Sequence, residues 1–209
     1  MRAMTETGNT LDEAPRSEAR RNQVLDAATE CFLRDGFHGA SMAQISKAAG
    51  MSVGHIYHYF ENKDAIIAAI VERDLQNTLT ITRRLDEISR DGDLFHTMIE
   101  EVDYGVDQCM GRRDAALMLE VVVEAARNPR IAEIVRRANE TVQARFQEQT
   151  AAGHRARGRV VPEREIRAQV EVMSALFEGL TIRTVRNPDF DKAAIVEVIR
   201  RAMRGILDL

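Results

Sequence analysis

Apolar residues recur at three- and four-residue spacings through almost every stretch between the glycines and prolines, which leaves helices as the building material. Alternating apolar and polar runs are missing, as are Asn-Gly or Asp-Gly hairpin signals apart from an isolated Asp91-Gly92. The fold class is all-α. After a polar, disordered tail over residues 1–15, a first helix carries Val24, Leu25, Ala28 and Phe32 on one face and ends at Gly36, a left-handed cap. Ser41 opens a short helix with Met42, Ile45 and Ala49 inward and Gly50 as its stop. Ser52 opens a second short helix, and Asn62 caps a longer connecting one over residues 62–90. Beyond Gly92 the candidates are Asp93–Met110, Arg113–Arg127, Pro129–Ala152, Glu163–Val185 and Asp189–Ile206. They are separated by Gly111, Asn128-Pro129, the basic loop GHRARGRVVP and Asn187-Pro188. This predicts about nine helices, an N-terminal three-helix domain over residues 16–64 followed by a larger bundle over 65–209.

With 44% hydrophobic against 30% charged residues, the composition is that of a folded chain. Its uncharged apolar runs fall short of the roughly 20 residues a bilayer span needs, and its start has no apolar signal core, so a cytoplasmic protein with no membrane contact is expected. Cys31 and Cys109 have neither paired spacing nor ligand neighbours, so no disulfide, metal site or cofactor is expected. The net charge of −4 argues against a globally basic nucleic-acid surface. Locally the balance differs. From Gly36 to Phe60 there is no Asp or Glu, where chance would place about four.

That acid-free stretch holds the two short helices, joined by Gly50-Met51-Ser52 at the spacing of a helix-turn-helix. Ile56 and Phe60 are spaced to anchor the second helix, leaving Ser52, His55, Tyr57 and His58 near its surface. Such side chains donate to phosphates and base edges without a formal charge. The whole run TECFLRDGFHGASMAQISKAAGMSVGHIYHYFENKDAI resembles the DNA-binding domain of the TetR family of bacterial one-component regulators. The resemblance covers about Arg20 to Ile67 and includes Gly36-Phe37, Ser41, Ile45 to Gly50, Gly54, Tyr57 to Phe60 and Lys63. It implies phosphate or base contacts for Ser41, Gln44, Ser52, His55, Tyr57, His58 and Lys63. Where many relatives carry Lys or Arg this chain has Val53, so base readout is expected to lean on apolar contact with a thymine methyl.

A reading head of this size works as a dimer on two half-sites. In Glu163–Val185, Ile166, Val170, Met173, Phe177 and Leu180 form one stripe, and Val172, Leu176 and Gly179 a neighbouring one. The last helix pairs Ile195, Ile199, Ala202 and Ile206 with Val196, Met203 and Leu207. The resemblance implies that these two helices form a four-helix dimer interface, with Val172, Leu176, Gly179, Ile195, Ile199, Ala202 and Ile206 in the contact. The middle helices are expected to hold a small, apolar or amphipathic effector on adaptable walls. Candidates are Phe95, Met98, Ile99, Val102, Met110, Met118, Met173 and Phe177, with Glu120 and Glu124 as possible cavity acids. Those two acids lie near Arg113 and Arg127 on the helical wheel, which is also how a solvated polar face looks.

Phosphate loops, dinucleotide fingerprints, HExxH and Glu-x-x-His are missing, and no catalytic residue is expected. The resulting expectation is a ligand-responsive repressor acting as a homodimer on a pseudo-palindromic operator. An activator or dual regulator of the same fold and a helical protein-interaction adaptor are the alternatives.

Overall fold

The computed structural model describes residues 10–89 and 92–209 and, of these, every side chain but those of 10–14, 112 and 113. Asp91 and residues 1–9 of the expected tail lie outside the described residues. Ten helices and no strand are found among the described residues: α1 (Thr10–Gly39), α2 (Met42–Ala48), α3 (Val53–Tyr59), α4 (Lys63–Ile88), α5 (Leu94–Glu100), α6 (Val102–Cys109), α7 (Arg112–Ala125), α8 (Pro129–Ala156), α9 (Glu163–Arg186) and α10 (Lys192–Ile206). They form two compact units that divide between Ile70 and Val71, within α4.

In the first unit α1 buries Val24, Leu25, Ala28, Cys31 and Phe32, while α2, α3 and the start of α4 bury Ile45, Ala49, Ile56, Phe60 and Ile66. Residues 10–15 are already helical, not tail. Pro15 is tolerated because its missing N–H costs one bond near the start of the helix. Gly36 has φ 71° and ψ 167°, a mirror-image extended conformation open essentially to glycine, so it kinks the chain where a left-handed cap was expected. Helices α2 and α3 are seven residues each, too short to persist alone, and their ends are closed by specific groups. Ser41 and Gln44 form a capping box, Ser52 caps α3, and Asn62 Oδ1 accepts from Ala65 N at 2.9 Å to start α4. Gly50, at φ +62°, ends α2, and Met51 N reaches back to Ser46 O at 3.0 Å.

The second unit packs Leu85, Phe95, Met98, Ile99, Val102, Val106, Val170, Met173, Leu180, Val196, Ile199, Met203 and Leu207 into one core. The expected single helix Asp93–Met110 is two, which is why there are ten helices and not nine. Glu101, at φ −79° and ψ 4°, opens the turn between α5 and α6. Arg200 donates to the carbonyls beside the break, Nε to Ile99 O at 3.2 Å and a terminal nitrogen to Glu100 O at 3.1 Å. Helix α8 runs past Gly153, expected as the start of a loop, because Phe95 lies where a side chain would be: a Cβ there would sit 2.4 Å from Phe95 Cε1. The chain turns instead at Gly158, at φ +69°.

A Cβ added at Gly50 meets nothing within 4 Å, so the cost of Gly50→Ala is the left-handed backbone alone. The substitution is expected to destabilise the chain by about 1–2 kcal/mol, read as a lowered urea midpoint with an unchanged slope.

Candidate functional site

Helix α3 is anchored by Ile56, fully buried, and Phe60, and it turns the rest of its circumference outward. Val53 is 40% and Tyr57 52% exposed, and Ser52, Gly54, His55 and His58 are exposed beside them. Ser52 Oγ accepts from His55 N at 3.2 Å, which starts the helix and fixes where His55 projects. Tyr59 is half-buried and orients both imidazoles: His55 stacks on it at 5.4 Å between ring centres, and His58 meets it edge-on at 5.3 Å. The exposed face is therefore apolar at one end, hydrogen-bonding along its length and free of carboxylates.

Ser41 and Gln44 are exposed but already bonded. Ser41 N donates to Gln44 Oε1 at 2.8 Å, Gln44 N to Ser41 Oγ at 3.2 Å, and Gln44 Nε2 to Asp35 Oδ2 at 3.3 Å. Lys63 is held by the chain as well. Its ammonium donates to Phe37 O and Ala40 O, both at 2.7 Å, and lies 4.6 Å from the centre of the Phe37 ring. A cation in the first turn of α4 is thus compensated by carbonyls following the Gly36 kink, and no phosphate is needed for that. The exposed Lys47 on α2 was not singled out, although it is the one Lys or Arg in the acid-free run Gly36–Phe60, and that was the available signal.

In the second unit, Phe95, Met98, Ile99, Val102 and Met173 are buried core residues, with Met110 and Phe177 packed against them. They pack together as one apolar core. On α7, Met118 and Glu120 are half-buried. Glu124 is only 4% exposed and accepts from Asn128 Nδ2 at 3.2 Å, which corrects the solvated-face reading. Leu117, Val121 and Glu124 follow the inward spacing, and Val122 and Val123 face out. The Arg113 side chain lies outside those described.

Polar groups do enter this interior, from α8. Gln143 Nε2 donates to Ser174 Oγ at 3.0 Å, His154 Nε2 lies 2.9 Å from Gln169 Oε1, and Gln149 Nε2 donates to Thr82 O at 2.8 Å and Asp86 Oδ1 at 2.7 Å. Phe95 meets the His154 ring edge-on at 4.8 Å. Four buried atoms find no partner among the described residues: Gln143 Oε1, Gln149 Oε1, Thr150 Oγ1 and His154 Nδ1. The sequence carries part of their signal as Gln143, Thr150 and His154, polar side chains at the core spacing of a long helix. An open groove of about 570 Å³, lined by Arg84, Glu101, Tyr104 and Arg200 among others, is satisfied within itself. Arg84 bonds Glu101 and covers Tyr104, while Arg200 bonds Glu197 and the carbonyls at the α5–α6 break.

On α9 the stripe of Ile166, Val170, Met173 and Leu180 is buried. Val172 is 49% exposed, and Leu176 and Gly179 are half-buried. On α10, Ile195, Ala202 and Ile206 are half-buried, but Ile199 is 6% exposed and joins Val196, Met203 and Leu207 in the core. Ile199 is thereby removed from the outward face, which Val198 occupies in its place. Cys31 is buried, and burial pushes the half-buried Cys109 thiol up to about 11. Among the described residues no group of three or more His, Cys, Asp or Glu is placed to hold a metal ion, and no helix is long and apolar enough to cross a membrane.

A seven-residue helix presented outward behind a glycine turn, in an all-α chain, defines a helix-turn-helix regulator. Residues 24–70 match the family model described as bacterial regulatory proteins, tetR family, and residues 106–208 match that of the BetI-type transcriptional repressor, C-terminal. The chain belongs to the TetR family of transcriptional regulators. It is 27% identical to the HTH-type transcriptional regulator UidR of Escherichia coli K12 over 191 residues, 91% of this chain and 94% of that protein. Salmonella enterica GusR superposes with a TM-score of 0.76 at 25% identity, covering 98% of this chain and all of that one. The FadR regulator of Bacillus subtilis in complex with stearoyl-CoA shares the fold, with a TM-score of 0.70 at 18% identity over 87% of this chain and 96% of that one.

Lys63→Gln removes two charged hydrogen bonds and is expected to cost about 1.5–3 kcal/mol in urea unfolding. The salt dependence of DNA binding is expected to stay unchanged in that variant. Lys47→Gln is expected to leave stability within about 0.5 kcal/mol and to lower the slope of log K against log salt by about one, measured by fluorescence anisotropy.

Proposed function

We propose that this chain is a ligand-released repressor that binds a pseudo-palindromic operator as a homodimer. The observation that carries the reading is the outward face of α3, where Val53, His55, Tyr57 and His58 project together with no carboxylate among them. Residues 16–64 form the reading domain, with Ser52, His55, Tyr57, His58 and Lys47 meeting the duplex and Ser41 and Gln44 holding α2 while touching the backbone. Gly54 supports close approach: a Cβ there meets nothing of the chain within 4 Å, so internal packing does not require the glycine. The match to a BetI-type repressor C-terminal domain supports the repressor sign.

Residues 65–209 hold the effector and the dimer contact in this reading. FadR of Bacillus subtilis, solved with stearoyl-CoA, supports an effector-binding role by analogy of fold. The dimer contact uses the outward faces of α9 and α10, where Val172, Ile182 and Val198 are exposed. Gly179 and Gly205 leave open space within 4 Å, which suits the close approach of a second pair of helices. Effector binding favours a dimer conformation with lower operator affinity, and only that difference in affinity drives release.

Purified protein is expected to retard a duplex from the region upstream of its own gene, with affinity falling steeply as salt rises. Loss of retardation at low salt on every such duplex would sink the repressor reading. Val172→Asp is expected to leave the helical circular dichroism intact, to halve the mass in light scattering and to weaken operator binding at least tenfold.

A further inference from the structure

We infer that Arg20 and Arg21 of α1 are DNA-phosphate contacts that flank the reading helix, one at each end; this rests on the DNA-reading role proposed above and extends its surface to a second element. Both side chains are exposed, and both are held in place. Arg20 Nη1 donates to Gln23 Oε1 at 2.9 Å, and Gln23 Nε2 donates to Ala49 O at 2.8 Å. That chain of bonds sets one guanidinium beside the turn over residues 50–52, where Ser52 opens α3. The Arg21 guanidinium lies over the Phe60 ring, 5.2 Å from its centre, and Phe60 closes α3 at the other end.

The groups that hold these two side chains leave their charge available. An amide oxygen and a ring face fix a guanidinium without neutralising it. Other arginines of the chain are held by carboxylates: Arg34 by Asp35, Arg84 by Glu101, Arg145 by Asp86 and Arg157 by Asp93. Among the described residues neither Arg20 nor Arg21 forms an ion pair. Glu18, one turn before Arg21 on α1, and Glu61, next to Phe60, are exposed and bonded to neither.

Consecutive helical residues project about 100° apart, so Arg20 and Arg21 diverge, and the seven residues of α3 between their contacts span about 10 Å. The major groove that receives such a helix is about 12 Å wide, with a phosphate backbone on either side. A helix lying across it brings its two ends, and the cations there, to the groove walls. Planar guanidiniums bond phosphate oxygens in pairs. Such contacts fix register and carry no sequence information, which separates their role from that of Val53, His55, Tyr57 and His58 on the outer face of α3.

Fluorescence anisotropy of the full chain with two duplexes tests this, one from the region upstream of its own gene and one of the same composition in scrambled order, over about 50–200 mM salt. Arg20→Gln and Arg21→Gln are each expected to lower the slope of log K against log salt by about one and to weaken both duplexes by the same factor. Arg20→Lys and Arg21→Lys keep the charge and are expected to keep the wild-type slope. A purely structural role would change the ratio between the two duplexes and leave the slope alone. An unchanged slope in either Gln variant, or a loss confined to the upstream duplex, overturns the inference and leaves the reading helix in place. A wild-type chain that binds neither duplex at low salt overturns both readings.

Discussion

Main-chain groups left over at helix ends must find partners, and the short elements of this chain depend on which side chains supply them. Lys63 is the plainest case. Its ammonium takes Phe37 O and Ala40 O and so ties the start of α4 to the segment that follows the kink at Gly36. Gln23 Nε2 does the same for Ala49 O, the last residue of the α2 cap, at 2.8 Å. Between these two ties, seven-residue helices that would melt as peptides keep a fixed relation to α1. The same device recurs in the second unit, where Arg200 takes the carbonyls of Ile99 and Glu100 at the α5–α6 break.

The reading surface follows from that arrangement. With Ile56 and Phe60 committed inward, Val53, His55, Tyr57 and His58 are left on the outer face of α3. Formal positive charge is sparse in the acid-free run, with Lys47 alone between Gly36 and Phe60. Such a surface offers hydrogen bonds and ring faces and carries no carboxylate to repel a phosphate.

The sequence makes the reading head legible because glycine turns, serine caps and inward apolar spacing all agree over a short span. The structural tie made by Lys63 was not legible for a physical reason: its partners are carbonyls some 25 residues earlier, following a kink, and a one-dimensional pattern does not show which backbone groups are left over. The break at Glu101 was hidden for the same reason, since the charge that stabilises it sits about a hundred residues away on α10. Stripes on α9 and α10 were visible as pairs, but assigning Ile199 inward depended on which stripe met α5 and α6. Methionines and phenylalanines at helical spacing read equally well as pocket or core, and packing resolved Phe95, Met98 and Met173 as core.

The buried polar residues on α8 bear on stability. An unpaired buried acceptor or hydroxyl costs about 1–3 kcal/mol, and a domain is stable by only about 5–15 kcal/mol in total. Gln143, Thr150 and His154 each keep one buried polar atom without a partner among the described residues, and such an atom weakens a fold unless something pairs it. Anything that supplies donors to them recovers part of the cost and stabilises the conformation that holds it. A regulator has to be biased by its effector toward one conformation, and the bias equals the difference in binding free energy between conformations.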